Sequence, residues 1–109
     1  MSTDTIKAFR PGRVLDGHVH DVLGQPEPVW PYSTHPRARE RMREWLKIQQ
    51  AQIWLAGEAR ASDDCVVTVR GFRESFDAVS ENHALCLAVL FAHYLTNYGR
   101  RIGIRVGHV

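Results

Sequence analysis

Cysteine is scarce in this 109-residue chain: Cys65 and Cys86 are the only two, and no Cys-x-x-Cys pair exists. That removes the zinc ribbon and the thioredoxin-type redox motif. Both cysteines sit at or inside apolar runs, and nothing in the sequence directs export, so they read as buried, reduced thiols. Long apolar runs are also missing. A membrane span needs about 18 consecutive apolar residues, and His93, Thr96 and Asn97 interrupt the longest candidate. The polar start Met1-Ser2-Thr3-Asp4-Thr5 has no apolar stretch behind it, so no signal peptide is expected. Charge of one sign is weak as well. A net charge of +2 is too mild to mark a nucleic-acid binder and has the wrong sign for a DNA mimic. Proline is absent after position 36: Pro11, Pro26, Pro28, Pro31 and Pro36 all fall in the first third, leaving the rest free of that breaker.

What is present fits one ordinary domain. The chain is 44% apolar and 24% charged, and its length allows a core that folds unaided. Residues 1–11 read as a flexible arm, 12–99 as a single α/β sandwich domain, and 100–109 as a tail. Leu15, Val19, Val22 and Leu23 recur at helical spacing, and Gly24 suits the C-terminal cap. Residues 25–34 are an extended, Pro-rich connection. Thr34 is positioned to cap a second helix over about 35–50, with Pro36 in its first turn. Its buried stripe is Ala38, Met42, Trp45 and Leu46, and Glu40–Arg43 and Glu44–Lys47 are opposite-charge pairs on the wet side.

The period then changes. Residues 52–56 and 65–70 read as strands joined by a long hairpin loop over 57–64. Gly71 marks a bend, and residues 74–79 suggest a third strand. Ser80 caps a last helix that runs to about Tyr98 and ends at Gly99. Leu85, Leu87, Ala88, Val89, Leu90, Phe91, Ala92 and Leu95 cover most of its circumference, so it is expected to be buried on more than one side. A small sheet and two short helices would leave part of it uncovered. A homo-oligomer, a dimer or larger, is therefore expected, with Leu85, Ala88, Phe91, Ala92 and Leu95 at the contact. In the tail, Ile102, Ile104 and Val106 alternate, as in a fourth, edge strand or a partly ordered terminus. The fold class is α+β: a small antiparallel sheet of about three strands layered with helices, in the order α-α-β-β-β-α.

This order, with Leu15-Asp16 in the first helix, Tyr32-Ser33-Thr34 before the second and Ala84-Leu85-Cys86-Leu87-Ala88-Val89-Leu90 in the last, resembles the phage ABA-sandwich domain family. The resemblance spans roughly residues 12–95. It departs at His35, where the family tends to have aspartate, and at Leu87, where it tends to have arginine. It implies a phage or prophage origin, a bacterial host cytoplasm and a helix/sheet/helix layering. It brings no catalytic residue with it.

Asp16-Gly17-His18-Val19-His20-Asp21 is similar to the Asp-x-His-x-His metal signature of amidohydrolases. That signature works at the end of a barrel strand, where alternate side chains converge on one metal. A barrel of that kind needs about 250 residues. On a helix, residues two apart point roughly 160° away from each other and share no metal. A small metal-dependent hydrolase is therefore ranked last, and no cofactor is expected. Ser33 and Ser80 lack a Gly-x-Ser-x-Gly elbow and read as turn and cap residues.

The arginines are the stronger lead. Arg37 and Arg41 share a face of the second helix, Arg70 and Arg73 flank the Gly71 bend, and Trp30 and Tyr32 lie in the preceding connection. Guanidinium groups beside aromatic rings grip phosphate and stack bases. Trp30, Tyr32, Arg37, Arg41, Arg70 and Arg73 are thus the candidate ligand-binding set. The alternative is a solvated helix face partly neutralised by Glu40 and Glu44. With the family's source, this suggests a non-enzymatic accessory or counter-defence protein that binds a host protein or sequesters a nucleotide signal. A nucleic-acid-binding module using the basic helix and the Arg100-Arg101-Arg105 tail is the second reading.

Overall fold

The computed structural model describes residues 1–26, 28–55 and 65–95. In chain order they form α1 (Thr3–Ala8), α2 (Arg13–Leu23), α3 (Ala38–Ile48), β1 (Gln52–Leu55), β2 (Cys65–Val69), β3 (Phe72–Phe76) and α4 (Glu81–Leu90), followed by a π-helical turn at Phe91–Leu95. The class is α+β, as the sequence indicates, with one more helix. The expected long hairpin loop and C-terminal tail strand lie outside the described residues.

The extra helix corrects the reading of residues 1–11 as an arm. Ser2 caps it by accepting the Thr5 N–H, and Ile6 is fully buried. A single apolar residue in a polar stretch carries no periodicity, so the helix is invisible to pattern reading. α2 matches its expected span and ends at Gly24, whose φ of +68° is the left-handed cap geometry.

α3 begins three residues later than its sequence pattern suggests. Thr34 does not cap it. The N–H groups of Thr34 and His35 both donate to the Pro31 carbonyl, at 3.2 and 2.9 Å, closing a separate turn. The chain then tightens through Ala38 N–H to His35 O and Arg39 N–H to Pro36 O before the helix proper. At its other end Gln50 N–H reaches Lys47 O and Ala51 N–H reaches Leu46 O, both at 2.9 Å. This is a Schellman closure, with Gln50 (φ +60°) where glycine usually stands.

The three strands form one antiparallel sheet in the order β1-β2-β3. Arg70 and Gly71, at φ +48° and +88°, make a two-residue turn directly between Val69 and Phe72. Two positive φ values give the twist a tight hairpin needs. β3 consequently starts at Phe72, two residues before the segment the sequence pattern suggests.

Register separates the sheet's faces. Cys65, Val67, Val69 and Phe76 point inward and are buried, whereas Gln52, Trp54, Val66, Thr68, Arg73 and Ser75 share the outward face. That face carries no helix among the described residues, in contrast to the three-layer arrangement the resemblance implies. The layering is sheet, then α4, then the remaining helices.

α4 packs against α1, α2, α3 and β1, and its continuation at 91–95 packs on β2 and α1. Phe76 and Phe91 meet at 5.4 Å between ring centroids and join the sheet to the helix end. Every residue from Asn82 to Leu90 is buried. The single chain thus covers the all-apolar helix, and the geometric reason for placing an oligomer contact on it falls away. Leu85 and Ala88 are fully enclosed, Phe91 and Ala92 nearly so, and only Leu95 of that set is half-buried.

Gln50 and Arg70 are the two non-glycine residues with positive φ among those described. Left-handed backbone costs a residue bearing Cβ about 1 kcal/mol. Replacing Gln50 with glycine is expected to raise unfolding stability by about 0.5–1 kcal/mol in a urea titration. A drop instead would mean that the glutamine side chain contributes more than its backbone strain costs.

Candidate functional site

The polar residues nearest the core divide into those that hold the molecule together and those that face outward. The first group centres on the start of α4. Ser80 accepts the His83 N–H at 3.1 Å and caps the helix. Glu81 receives Arg43 at 2.7 Å, with the Arg39 Nε at 3.9 Å. Asn82, 2% exposed, donates through Nδ2 to the carbonyls of Tyr32 (2.9 Å) and His35 (2.6 Å), and its Oδ1 accepts Arg39 Nε at 2.6 Å. Both amide hydrogens and the amide oxygen are thereby used.

His83 is equally committed. Its Nδ1 accepts the Val79 N–H at 3.1 Å, so Nε2 bears the hydrogen and donates to the Phe9 carbonyl at 2.8 Å. Asp16, on the buried face of α2, accepts the Ser33 N–H at 2.7 Å, and the Ser33 hydroxyl accepts the Gly12 N–H at 2.9 Å. Two of the stretches that carry the family resemblance, Leu15-Asp16 and Tyr32-Ser33-Thr34, are therefore bonded to each other. Cys86 and Cys65 are buried and form no disulfide. Burial and then the Asp16 carboxylate push the Cys86 thiol pKa up, so it stays protonated and donates to Met42 Sδ at 3.7 Å.

His18 and His20 lie on α2 with separate neighbours. The His18 ring packs on Phe9 at 5.0 Å between centroids, and His20 Nδ1 lies 3.4 Å from the Tyr32 hydroxyl. The helix turns one imidazole outward and the other into the core, as the spacing requires. Among the described residues no group of three His, Cys, Asp or Glu side chains is placed to hold a metal ion.

The outward group holds the candidate ligand set, and the structure divides it. Trp30 stacks on Tyr32 at 6.4 Å between centroids, and the Arg41 guanidinium lies 3.7 Å over the Trp30 ring. Trp30 and Arg37 line a groove of about 460 Å³ together with Pro28, Val29, Pro31 and His35. Tyr32 is fully buried, so it supports Trp30 from beneath and offers no surface to a ligand. Arg70 and Arg73 sit on the β2–β3 hairpin and line different depressions from Trp30. The tail arginines lie outside the described residues.

His35, which the sequence marks only as a departure from the family pattern, is a polar groove residue outside the candidate set. Its Nδ1 accepts the Arg37 N–H at 3.1 Å, which leaves Nε2 as the hydrogen-bearing nitrogen of the neutral ring. No protein-family model, curated protein or solved structure matches the chain.

Two outcomes are expected from the buried polar group. Asn82→Ala removes the donor to the buried Tyr32 carbonyl, one of two donors to the His35 carbonyl and the acceptor of Arg39, and should cost about 1–3 kcal/mol in chemical unfolding. A loss below about 0.5 kcal/mol would show that these carbonyls find water. The second concerns pH. Burial, with Arg10 nearby, holds the His83 pKa below its ordinary 6.5, although the Phe9 carbonyl acts the other way, and burial lowers His93 as well. The unfolded chain then takes up protons below about pH 6.5 that the native state resists. Stability is full above that pH and falls as the pH drops through the lowered native values. His83→Gln should flatten the decline in midpoint between pH 7 and 5, and an unchanged slope would count against the assignment.

Proposed function

We propose that this chain is a small non-enzymatic binding protein of phage or prophage origin, an accessory or counter-defence factor that captures a phosphorylated, ring-bearing ligand of nucleotide type. The observation that carries the reading is the groove at Trp30. It joins the edge of an indole and prolines, which suit an apolar ring, to the Arg37 guanidinium and the His35 N–H, which suit a phosphate. Arg41 over Trp30 fixes the indole at one wall by a cation–π contact. Tyr32, anchored beneath, holds it from below. The groove is therefore built on braced parts and needs little ordering when a ligand arrives.

The polar inventory supports binding over catalysis. Asp16, Ser33, Asn82 and His83, the buried groups a hydrolase could recruit, are each spent on hydrogen bonds that fix the backbone. The exposed side chains at the groove supply donors, and no carboxylate among the described residues lines it as a general base.

A thermal-shift and calorimetric screen with adenine and guanine mononucleotides and cyclic dinucleotides tests this. One nucleotide class should raise the unfolding midpoint, by an amount that grows with ligand concentration. Trp30→Ala and Arg37→Gln should each weaken that ligand at least tenfold. Arg37→Gln, at an exposed position, should leave the ligand-free midpoint within about 2 °C. Trp30→Ala, which removes a ring packed on Tyr32, should lower it by several degrees without unfolding the protein. No response to any nucleotide, or a response that both variants retain, would defeat the reading.

A further inference from the structure

We infer that the surface running from the end of α3 across the β2–β3 hairpin to the outward face of the sheet is a binding track for single-stranded nucleic acid, separate from the Trp30 groove and independent of its function.

Three depressions form the track, and they share residues. One of about 360 Å³ at the end of α3 includes Lys47, Gln50 and Gln52. The next, of about 370 Å³, includes Gln50, Gln52, Arg70 and Arg73. The last, of about 710 Å³, runs over the sheet face and includes Gln52, Thr68, Arg73 and Trp54. Lys47, Arg70 and Arg73 are exposed, and no aspartate or glutamate among the described residues lines any of the three. At the sheet end the indole of Trp54 is 60% exposed on a face with no helix over it among the described residues. A row of cations that tracks a phosphate backbone, with an exposed ring on which a base can stack, is the combination that single strands select. The amide of Gln52 and the hydroxyl of Thr68 between them offer hydrogen bonds to base edges or sugars.

A second observation is independent of charge. The two non-glycine residues with positive φ among those described, Gln50 and Arg70, line the same middle depression. Asparagine or glycine would serve the first position of the hairpin turn better, and glycine would serve the helix closure better. The helix closure and the hairpin turn hold these backbones, and both positions present long polar side chains to one surface. The neutral amide and the guanidinium are the groups a phosphodiester chain would meet.

The test uses fluorescence anisotropy of the full chain with labelled 12-nucleotide thymidine and uridine oligomers. Both should bind and quench tryptophan emission. Three phosphates met by Lys47, Arg70 and Arg73 give a slope of about −2 in log affinity against log salt, a loss of roughly 20-fold between 50 and 200 mM. Trp54→Ala should abolish the quenching, and Arg73→Gln should weaken binding at least threefold. Arg70→Asn is the deciding variant: it should unfold at a higher temperature and yet bind at least threefold more weakly, a split that a purely structural arginine does not give. Trp30→Ala should leave oligomer affinity unchanged. The inference is overturned if no oligomer binds at 50 mM salt, if affinity ignores salt, if a 12-base-pair duplex binds as tightly, or if the Trp54, Arg70 and Arg73 variants bind like the parent. It is equally overturned if light scattering shows that Trp54→Ala splits a dimer and no oligomer binds, since the face would then join two copies of this chain.

Discussion

Asn82 lies beneath the chain at residues 32–35 and holds two of its carbonyls with one amide. The rest of the helical layer depends on that grip. A segment with Pro28, Pro31 and Pro36 cannot satisfy its own backbone as a helix or strand does. Some of its groups pair locally, as the Pro31 carbonyl does with the Thr34 and His35 N–H, but the carbonyls of Tyr32 and His35 also take donors from elsewhere in the chain. The first turn of α4 supplies them, while its own free N–H groups are met by Ser80. The neighbours of Asn82 extend the same function: Glu81 draws in α3 through Arg43, and His83 fixes the end of α1 through the Phe9 carbonyl. Four consecutive residues, Ser80 to His83, thus bring α1, the Pro-rich connection and α3 to one point. From there the apolar stretch to Leu90 runs through the centre of the molecule.

This arrangement explains which parts of the fold are readable from the sequence. α2, β2 and the start of α4 carry their own signals, in periodicity for the first two and in the Ser80 cap for the third. Each is found where the sequence places it, while the expected end of the last helix at Gly99 lies outside the described residues. The misplaced boundaries belong to segments whose geometry is set by distant partners. Thr34 looks like a cap because an amphipathic stretch begins just after it, but Asn82 and Pro31 hold the 31–35 turn in another shape, and α3 must wait until Ala38. β3 begins early because Arg70-Gly71 adopts a two-residue turn without the asparagine that usually signals one. α1 has one buried residue and therefore no pattern at all.

The candidate site is legible in its residue types but not in its grouping. Trp30, Arg37 and Arg41 are close in sequence and meet in space. Arg70 and Arg73 join that set on chemistry alone, and the hairpin carries them to another surface. Tyr32 illustrates a different limit. An aromatic residue in a Pro-rich connection can face either way, and the hydrogen bonds around Asp16 and Asn82 decide that this one faces in. The same ambiguity governs α4. An apolar circumference requires cover on every side but does not say whether the cover is intramolecular. Helix α1, which has no sequence signature, provides part of it beside α2, α3 and β1.

The distribution of strain and satisfaction gives the surface a meaning that composition alone does not. Inside, the buried polar side chains that hold the backbone have identified partners at 2.6–3.1 Å, so the interior is spent on stability. Outside, the two residues whose backbones run against their own preference stand together on one depression among cations. They share it because Gln50 lies just before β1 and Arg70 immediately follows β2, and those two strand ends are paired at Gln52 and Thr68. About 1 kcal/mol of strain at each of two exposed sites is tolerated because the Schellman closure and the two-residue hairpin turn require that backbone, and its consequence is that two long polar side chains stand side by side on one surface.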